Sequence, residues 1–281
     1  MLVAGVVILY HPDDDVIQNI QSYLPYVQKL YVADNTEETM SAVASQLKEQ
    51  NKIQILYDGS NEGIAKRLNK AAALAKEEGF EWLLTMDQDS CFEEAELENY
   101  LTCADNYLHK NKTAMFGVEY EVKSDLQVCT VKERVQLITS GSIVNLELFN
   151  VMGGFDEALF IDEVDLEYCY RAITMDYKII QFPNVFLQHH LGNVSYHKSL
   201  KNLATTPRVL HSPVRLYYMV RNYLYVQKKY GNQFADNDKL RRGALLNRIK
   251  NNLLYGEKRM KTIRFIVKAV IDFNNGKLKK I

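Results

Sequence analysis

Residues 82–90 read Trp-Leu-Leu-Thr-Met-Asp-Gln-Asp-Ser, a strand-like run that ends on two carboxylates one residue apart. A short, largely apolar run bounded by polar residues fits a strand covered on both faces. Working outward, the same pattern recurs upstream. Leu2–Tyr10 is apolar and stops at His11-Pro12, Leu30–Ala33 stops at Asp34-Asn35, and Lys52–Tyr57 stops at Asp58-Gly59-Ser60-Asn61. Helical spacing lies between these runs, over Val16–Leu24 and from Glu62 to Glu77, where Ile64, Leu68, Ala71 and Ala75 share a face and Gly79 ends the helix. Alternating strand and helix predicts an α/β domain with a mostly parallel sheet and helices on both faces. Each polar cluster falls at the carboxyl end of its strand, the edge at which open α/β sheets bind ligands. The sequence therefore predicts one site built from several loops.

Farther along, Thr139–Asn145, Lys178–Phe182 and Val185–Leu187 read as strands and Asp162–Met175 as a helix, with Gly153-Gly154 marking a tight turn. After Gly192 a polar stretch leads to helical patterns over Val214–Tyr230 and from Arg241 onward. The 281 residues, 47% hydrophobic and 25% charged, have ordinary globular composition. The N-terminal apolar run lacks a basic lead and a small-residue cleavage site, so it reads as a strand and not as a signal peptide. No apolar run approaches the roughly 18 residues that span a bilayer. The cysteines Cys91, Cys103, Cys129 and Cys169 lack Cys-X-X-Cys spacing. They predict free thiols in a reducing cytoplasm, with neither a disulfide frame nor a zinc site.

Asp87-Gln88-Asp89 offers hard oxygen ligands suited to Mg²⁺ or Mn²⁺, and such a cation neutralises a diphosphate. Alone, this pair is more often a solvated loop. The ordered series lifts it: VVILYHP, VADN, DGSNEGIAKRLN, WLLTMDQDS, TSGSIVN, GGFDEALFIDEVDLEYCYRA and QHHLG follow one another over about residues 1–230. This series resembles the family 2 glycosyltransferases of the GT-A fold, most closely their bacterial rhamnosyltransferase branch. The resemblance implies inverting transfer of a sugar from a nucleotide-diphosphate donor, with dTDP-rhamnose favoured and a UDP-hexose as the rival within the class.

The same resemblance places Asp34 against the donor's pyrimidine base and Asp58, Asn61 and Gly63 in the nucleotide-side loop. His11, at the end of the first strand, lies where the donor is expected. It makes Asp87 and Asp89 the metal-side carboxylates and His189 a further metal ligand, with His190 the alternative. In FIDEVDLEYCYRA, matching back from Arg171 puts Asp165 at the catalytic base and Glu167 at a second acidic position. Val164 stands where the family usually has another acid, so Glu163 is the second candidate for the base. Each acid also has a plain reading, in which Asp162, Glu163 and Asp165 merely favour the start of a helix.

From Lys201 to Ile281 there are 19 Lys+Arg against 4 Asp+Glu, a balance of +15; the preceding 200 residues carry 15 against 31, a balance of −16. The expected organisation is a GT-A catalytic domain over 1–212, with a nucleotide-binding half over 1–90 and an acceptor half over 91–212, followed by a basic helical region over 213–281. Met260, Ile263, Val267, Val270 and Ile271 recur at helical spacing among Lys261, Arg264 and Lys268. Such a helix either packs on the catalytic domain or lies in a membrane interface. A cytoplasmic enzyme held peripherally at the inner face of the plasma membrane, acting on a saccharide or lipid-linked saccharide acceptor, fits this pattern. No nucleic-acid motif accompanies the basic tail. A non-catalytic sugar-nucleotide-binding subunit of a polysaccharide assembly complex is the reading from another class.

Overall fold

The computed structural model describes residues 1–93, 95–126, 128–189, 194–198 and 205–281. Its elements in chain order are β1 (Val3–Leu9), α1 (Asp15–Gln21), β2 (Lys29–Asp34), α2 (Ala42–Leu47), β3 (Ile53–Leu56), α3 (Ile64–Glu77), β4 (Trp82–Asp87), β5 (Ser90–Phe92), α4 (Glu96–Asn106), β6 (Thr113–Glu119), β7 (Lys132–Glu133), β8 (Ser142–Asn145), α5 (Leu146–Met152), α6 (Val164–Thr174), β9 (Lys178–His189), β10 (Val194–Lys198), β11 (Thr205–Val209), α7 (Pro213–Tyr230), α8 (Ala235–Tyr255) and α9 (Arg259–Asn274). They form two compact units: Met1–Glu157 with Val164–His190, and Ala158–Glu163 with Leu191–Ile281.

The first unit is built on a sheet ordered β3-β2-β1-β4-β8-β6-β9-β5, with β7 beside β9. Strands β3, β2, β1 and β4 are parallel, as the βαβ pattern predicts. Beyond them the sheet is mixed, because β8 runs antiparallel to both β4 and β6. All seven residues of β1 are buried, consistent with its central place and unbroken apolar sequence. Each large aliphatic side chain so covered contributes about 1.5–3 kcal/mol. The core joins both parts of the sheet, from Val7 and Leu84 to Phe116, Ile180 and Leu187. Lys178–His189 is one strand and not two. Its pairing with β6 slips between Val118↔Phe182 and Glu119↔Phe186, which accommodates Pro183 within the strand.

Four free thiols were expected, but the structure pairs Cys103 on α4 with Cys129 in the loop before β7, and leaves only Cys91 and Cys169 free. The partners are 26 residues apart, so tertiary folding, and no local spacing, brings them together. With one pair joined, the cysteines give no sign of a reducing compartment.

The second unit centres on α7, whose Leu216, Tyr217, Tyr218 and Met219 are buried with Leu245 of α8 and Ala269 of α9. Strands β10 and β11 pair antiparallel where a plain polar stretch was expected. Two buried residues of α7 tie in the short segment Ala158–Glu163. The Arg221 guanidinium donates to the Ala158 carbonyl at 3.2 Å and to the Lys279 carbonyl at 2.9 Å, and the Asn222 amide donates to the Ile161 carbonyl at 2.7 Å. Among the described residues, no helix is long and apolar enough to cross a membrane.

Candidate active site

Register sets the site. Leu9 pairs with Asp34 and Ile8 with Asp87, so β1, β2 and β4 deliver their polar ends to one edge. Past Asp87 the chain turns into β5, which pairs antiparallel with β9 and sets Ser90 opposite His189. Side-chain ligand atoms of Asp87, Asp89 and His189 thereby lie within 4.8 Å of one another. Gln88, between the carboxylates, points elsewhere. Its Oε1 accepts from the Tyr10 amide at 2.8 Å and its carbonyl accepts from Asn19 at 2.9 Å.

Asp89 Oδ1 is buried, finds no hydrogen-bond partner among the described residues, and lies 3.5 Å from His189 Nδ1. The Asp89 side chain as a whole is 43% exposed, so this one shielded oxygen stands at the edge of the site, where a bound cation would engage it. Two carboxylates and an imidazole suit Mn²⁺ well and Mg²⁺ through the oxygens. A buried hydroxyl relay braces the histidine. The Asp87 amide donates to Ser140 Oγ at 3.1 Å, Ser140 donates to Ser90 Oγ at 2.8 Å, and Ser90 Oγ lies 2.7 Å from His189 Nδ1. His190 lies outside the described residues.

On the nucleotide side, the buried Asp34 carboxylate accepts from the amides of Thr36 at 2.9 Å and Ser41 at 2.8 Å, so it shapes its own loop. Asp58 is held in a bidentate pair by the buried Arg67 guanidinium, at 2.7 and 2.9 Å. That pair holds the Asp58 carboxyl well below the usual carboxylate range. Arg67 also donates to Asn35 Oδ1 at 2.9 Å and to the Ser60 carbonyl at 2.7 Å. Asn35 Oδ1 in turn accepts from the Glu62 amide at 3.2 Å, lacing the β2 end to the β3 loop. Gly63 precedes α3 with φ +83°, a left-handed backbone that glycine adopts freely, and its amide donates to Asn61 Oδ1 at 3.0 Å. His11 is exposed at the β1 end, with Nε2 3.6 Å from a Glu37 oxygen.

The acidic segment divides between the two units. Asp162 and Glu163 were expected inside a helix, but both have left-handed backbones, with φ of +64° and +68°, and α6 begins at Val164. Two such residues in succession cost about 1–2 kcal/mol each; the Asn222 amide, donating to the Ile161 and Asp162 carbonyls, holds the turn. Asp162 faces Arg215 at 3.3 Å, yet burial raises its carboxyl above the usual range, with Arg215 opposing. Glu163 is ion-paired with Arg241. Asp165 stands in the first turn of α6, in the first unit with the Asp87–Asp89–His189 group. Glu167 is fully buried and bonds Arg171 at 2.7 Å, while Arg171 donates to the Gly154 carbonyl at 2.6 Å. Glu167 therefore braces the Gly153-Gly154 turn.

Sequence reasoning missed Ser90, Ser140, Asn35, Arg67 and Tyr120. The Tyr120 ring sits edge-on to His189 at 6.3 Å, and its phenol is pushed up by burial, then by the charges of Glu121 and Asp165. It is therefore near both the histidine and the candidate base. Arg67 had a signal, since a cation on the apolar face of α3 calls for a buried partner.

Residues 15–113 match the family model Glycosyl transferase family 2. The sheet order and the Asp-X-Asp group at its edge agree with this match and define a GT-A fold, the architecture of nucleotide-sugar glycosyltransferases. The chain is 28% identical over 244 residues to the dTDP-rhamnosyl transferase RfbF of Shigella flexneri, covering 80% of this chain and 79% of that protein. Similar solved structures include GalNAc-T7 with UDP, GalNAc and Mn²⁺, at TM-score 0.62 and 12% identity, covering 97% of this chain. This chain spans 57% of that one. Another is Staphylococcus aureus TarS 1–349 with UDP-GlcNAc, at TM-score 0.57 and 13% identity, covering 97% of this chain and 80% of that one.

Proposed function

We propose that the chain carries out inverting, metal-dependent transfer of a sugar, favoured as L-rhamnose from dTDP-rhamnose, to a saccharide or lipid-linked saccharide acceptor. One observation carries the reading: the Asp87–Asp89–His189 group with its buried, unpartnered carboxylate oxygen at the ligand edge of the sheet. The rhamnose assignment draws on the relative's name, dTDP-rhamnosyl transferase. A UDP-sugar donor is the second reading, favoured by the UDP and UDP-GlcNAc in the structural neighbours.

In the proposed reaction Asp165 accepts the acceptor hydroxyl proton while that oxygen bonds the anomeric carbon. The bond to the diphosphate oxygen breaks on the opposite face, and the nucleoside diphosphate leaves. Asp87, Asp89 and His189 would hold Mn²⁺ or Mg²⁺, which when bound neutralises the charge on the departing diphosphate. Asp34 would receive N3–H of the pyrimidine through a remaining lone pair. Asp58, Asn61 and Gly63 would form the loop beneath the donor, with the α3 N-terminus toward phosphate, and His11 would flank it. Residues 1–212 would form the catalytic domain and 213–281 the basic helical region.

The test is a thermal-shift panel of dTDP-rhamnose, UDP-glucose, UDP-GlcNAc and GDP-mannose with and without Mn²⁺, since a ligand of the native state raises its stability. A shift with dTDP-rhamnose that needs Mn²⁺ supports the first reading. A metal-dependent shift with UDP-sugars alone supports the second.

A further inference from the structure

Helix α9 packs Phe265, Ile266 and Ala269 inward and turns a second set of apolar residues outward. Thr262, Ala269 and Asp272 are buried and face α7, where Asp272 accepts from the Tyr217 hydroxyl at 2.8 Å. On the opposite side Met260, Ile263, Val267, Val270 and Ile271 are 39–67% exposed. At 100° per residue these five fall within one stripe, centred opposite Ala269. The alternatives in the sequence were a helix packed by its apolar residues or one presenting them to another medium. The packing face is taken by Thr262, Ala269 and Asp272 together with Phe265 and Ile266, so this second apolar stripe is left facing outward.

The charge beside the stripe identifies its occupant. Exposed Lys261, Arg264 and Lys268 line one flank and exposed Arg259 the other. The single acid of α9, Asp272, is buried and paired with Lys268 at 2.5 Å. A second copy of the chain would bring a like-charged flank against this one, which repels. A phospholipid surface offers both complements at once: acyl chain for the stripe and anionic headgroup for its rim. We propose that the outward face of α9 docks on an anionic lipid bilayer. The proposal stands independently of the transferase reading.

The experiment is co-sedimentation of the full chain with phosphatidylcholine vesicles, with or without phosphatidylglycerol, at low salt. Two double variants, Ile263→Gln/Val267→Gln and Lys261→Gln/Arg264→Gln, accompany it. All four positions are exposed, so the fold is expected to persist, and circular dichroism checks this. Binding to phosphatidylglycerol vesicles alone is expected, with a loss of roughly 30-fold on removing two basic residues and a clear loss on replacing the two apolar ones. No vesicle binding by the full chain overturns the proposal, as does binding indifferent to both variants. A dimer in sedimentation velocity that Ile263→Gln/Val267→Gln dissolves overturns it too, and assigns the face to a second copy. Donor turnover measured without vesicles keeps this outcome separate from that of the transferase reading.

Discussion

Asp89 Oδ1 and His189 Nδ1 lie 3.5 Å apart, and the carboxylate oxygen has no hydrogen-bond partner among the described residues. Ser90 Oγ meets this same Nδ1 at 2.7 Å and so fixes the ring. A group that hydrogen-bonds a metal-ligating histidine and orients its ring is usually worth 10–100-fold in affinity. Ser90→Ala is therefore expected to weaken Mn²⁺ binding by roughly 10–100-fold, with Ser90→Thr restoring much of it. Calorimetric titration of Mn²⁺ with a nucleoside diphosphate present reads this directly, and equal affinity in Ser90→Ala would remove the relay from the account.

Asp165 and Glu163 competed for the base in the sequence, and their surroundings separate them. Glu163 is committed to Arg241, whereas Asp165 lies in the same unit as Asp87 and Asp89. Asp165→Asn should lower turnover by roughly 10²–10⁴-fold with donor affinity kept. Glu163→Gln should instead lower thermal stability by removing a partner of Arg241. Steady-state kinetics and a melting curve for each variant distinguish these, and a reversed pattern would move the base to Glu163.

The Cys103–Cys129 bond closes a loop of 26 residues, which on chain-entropy grounds contributes about 3.5 kcal/mol. Urea titrations should show Cys129→Ser less stable than the parent under oxidising conditions and equal to it in excess dithiothreitol. A parent indifferent to reductant would show that the bond adds nothing.

His211, in the second unit, is pushed down to about 4 by burial, and further by the charges of Arg215 and Arg248. Its unfolded-state value is near 6.5. As pH falls, the unfolded chain binds the proton first, so this contribution is full above about 6.5 and is lost progressively toward pH 4. Melting curves between pH 7 and 4.5 should fall less steeply for His211→Gln than for the parent.

The parallel half of the sheet was legible because β1, β2 and β4 are apolar runs buried on both faces, each closing on a polar cluster. Asp87, Asp89 and His189 were legible as residue types in an ordered series. What brings them together was not, since β5 is three residues long and pairs with a strand almost 100 positions away. Ser140 and Tyr120 carry no local signal: one is a serine in a turn, the other a tyrosine among eighteen. The two strands read over Lys178–Phe182 and Val185–Leu187 are one, because the slipped register takes up Pro183 between them. The Glu163–Arg241 pair spans 78 residues, so no helix-start rule could anticipate it.

Release of nucleoside diphosphate from dTDP-rhamnose in the presence of a saccharide acceptor, by the parent chain and by Asp89→Asn, tests the central claim most directly. The account predicts release that needs Mn²⁺ or Mg²⁺, stops in EDTA and resumes on adding metal, with most of it lost in a folded Asp89→Asn. Release unchanged in EDTA, or full activity in Asp89→Asn, would contradict it.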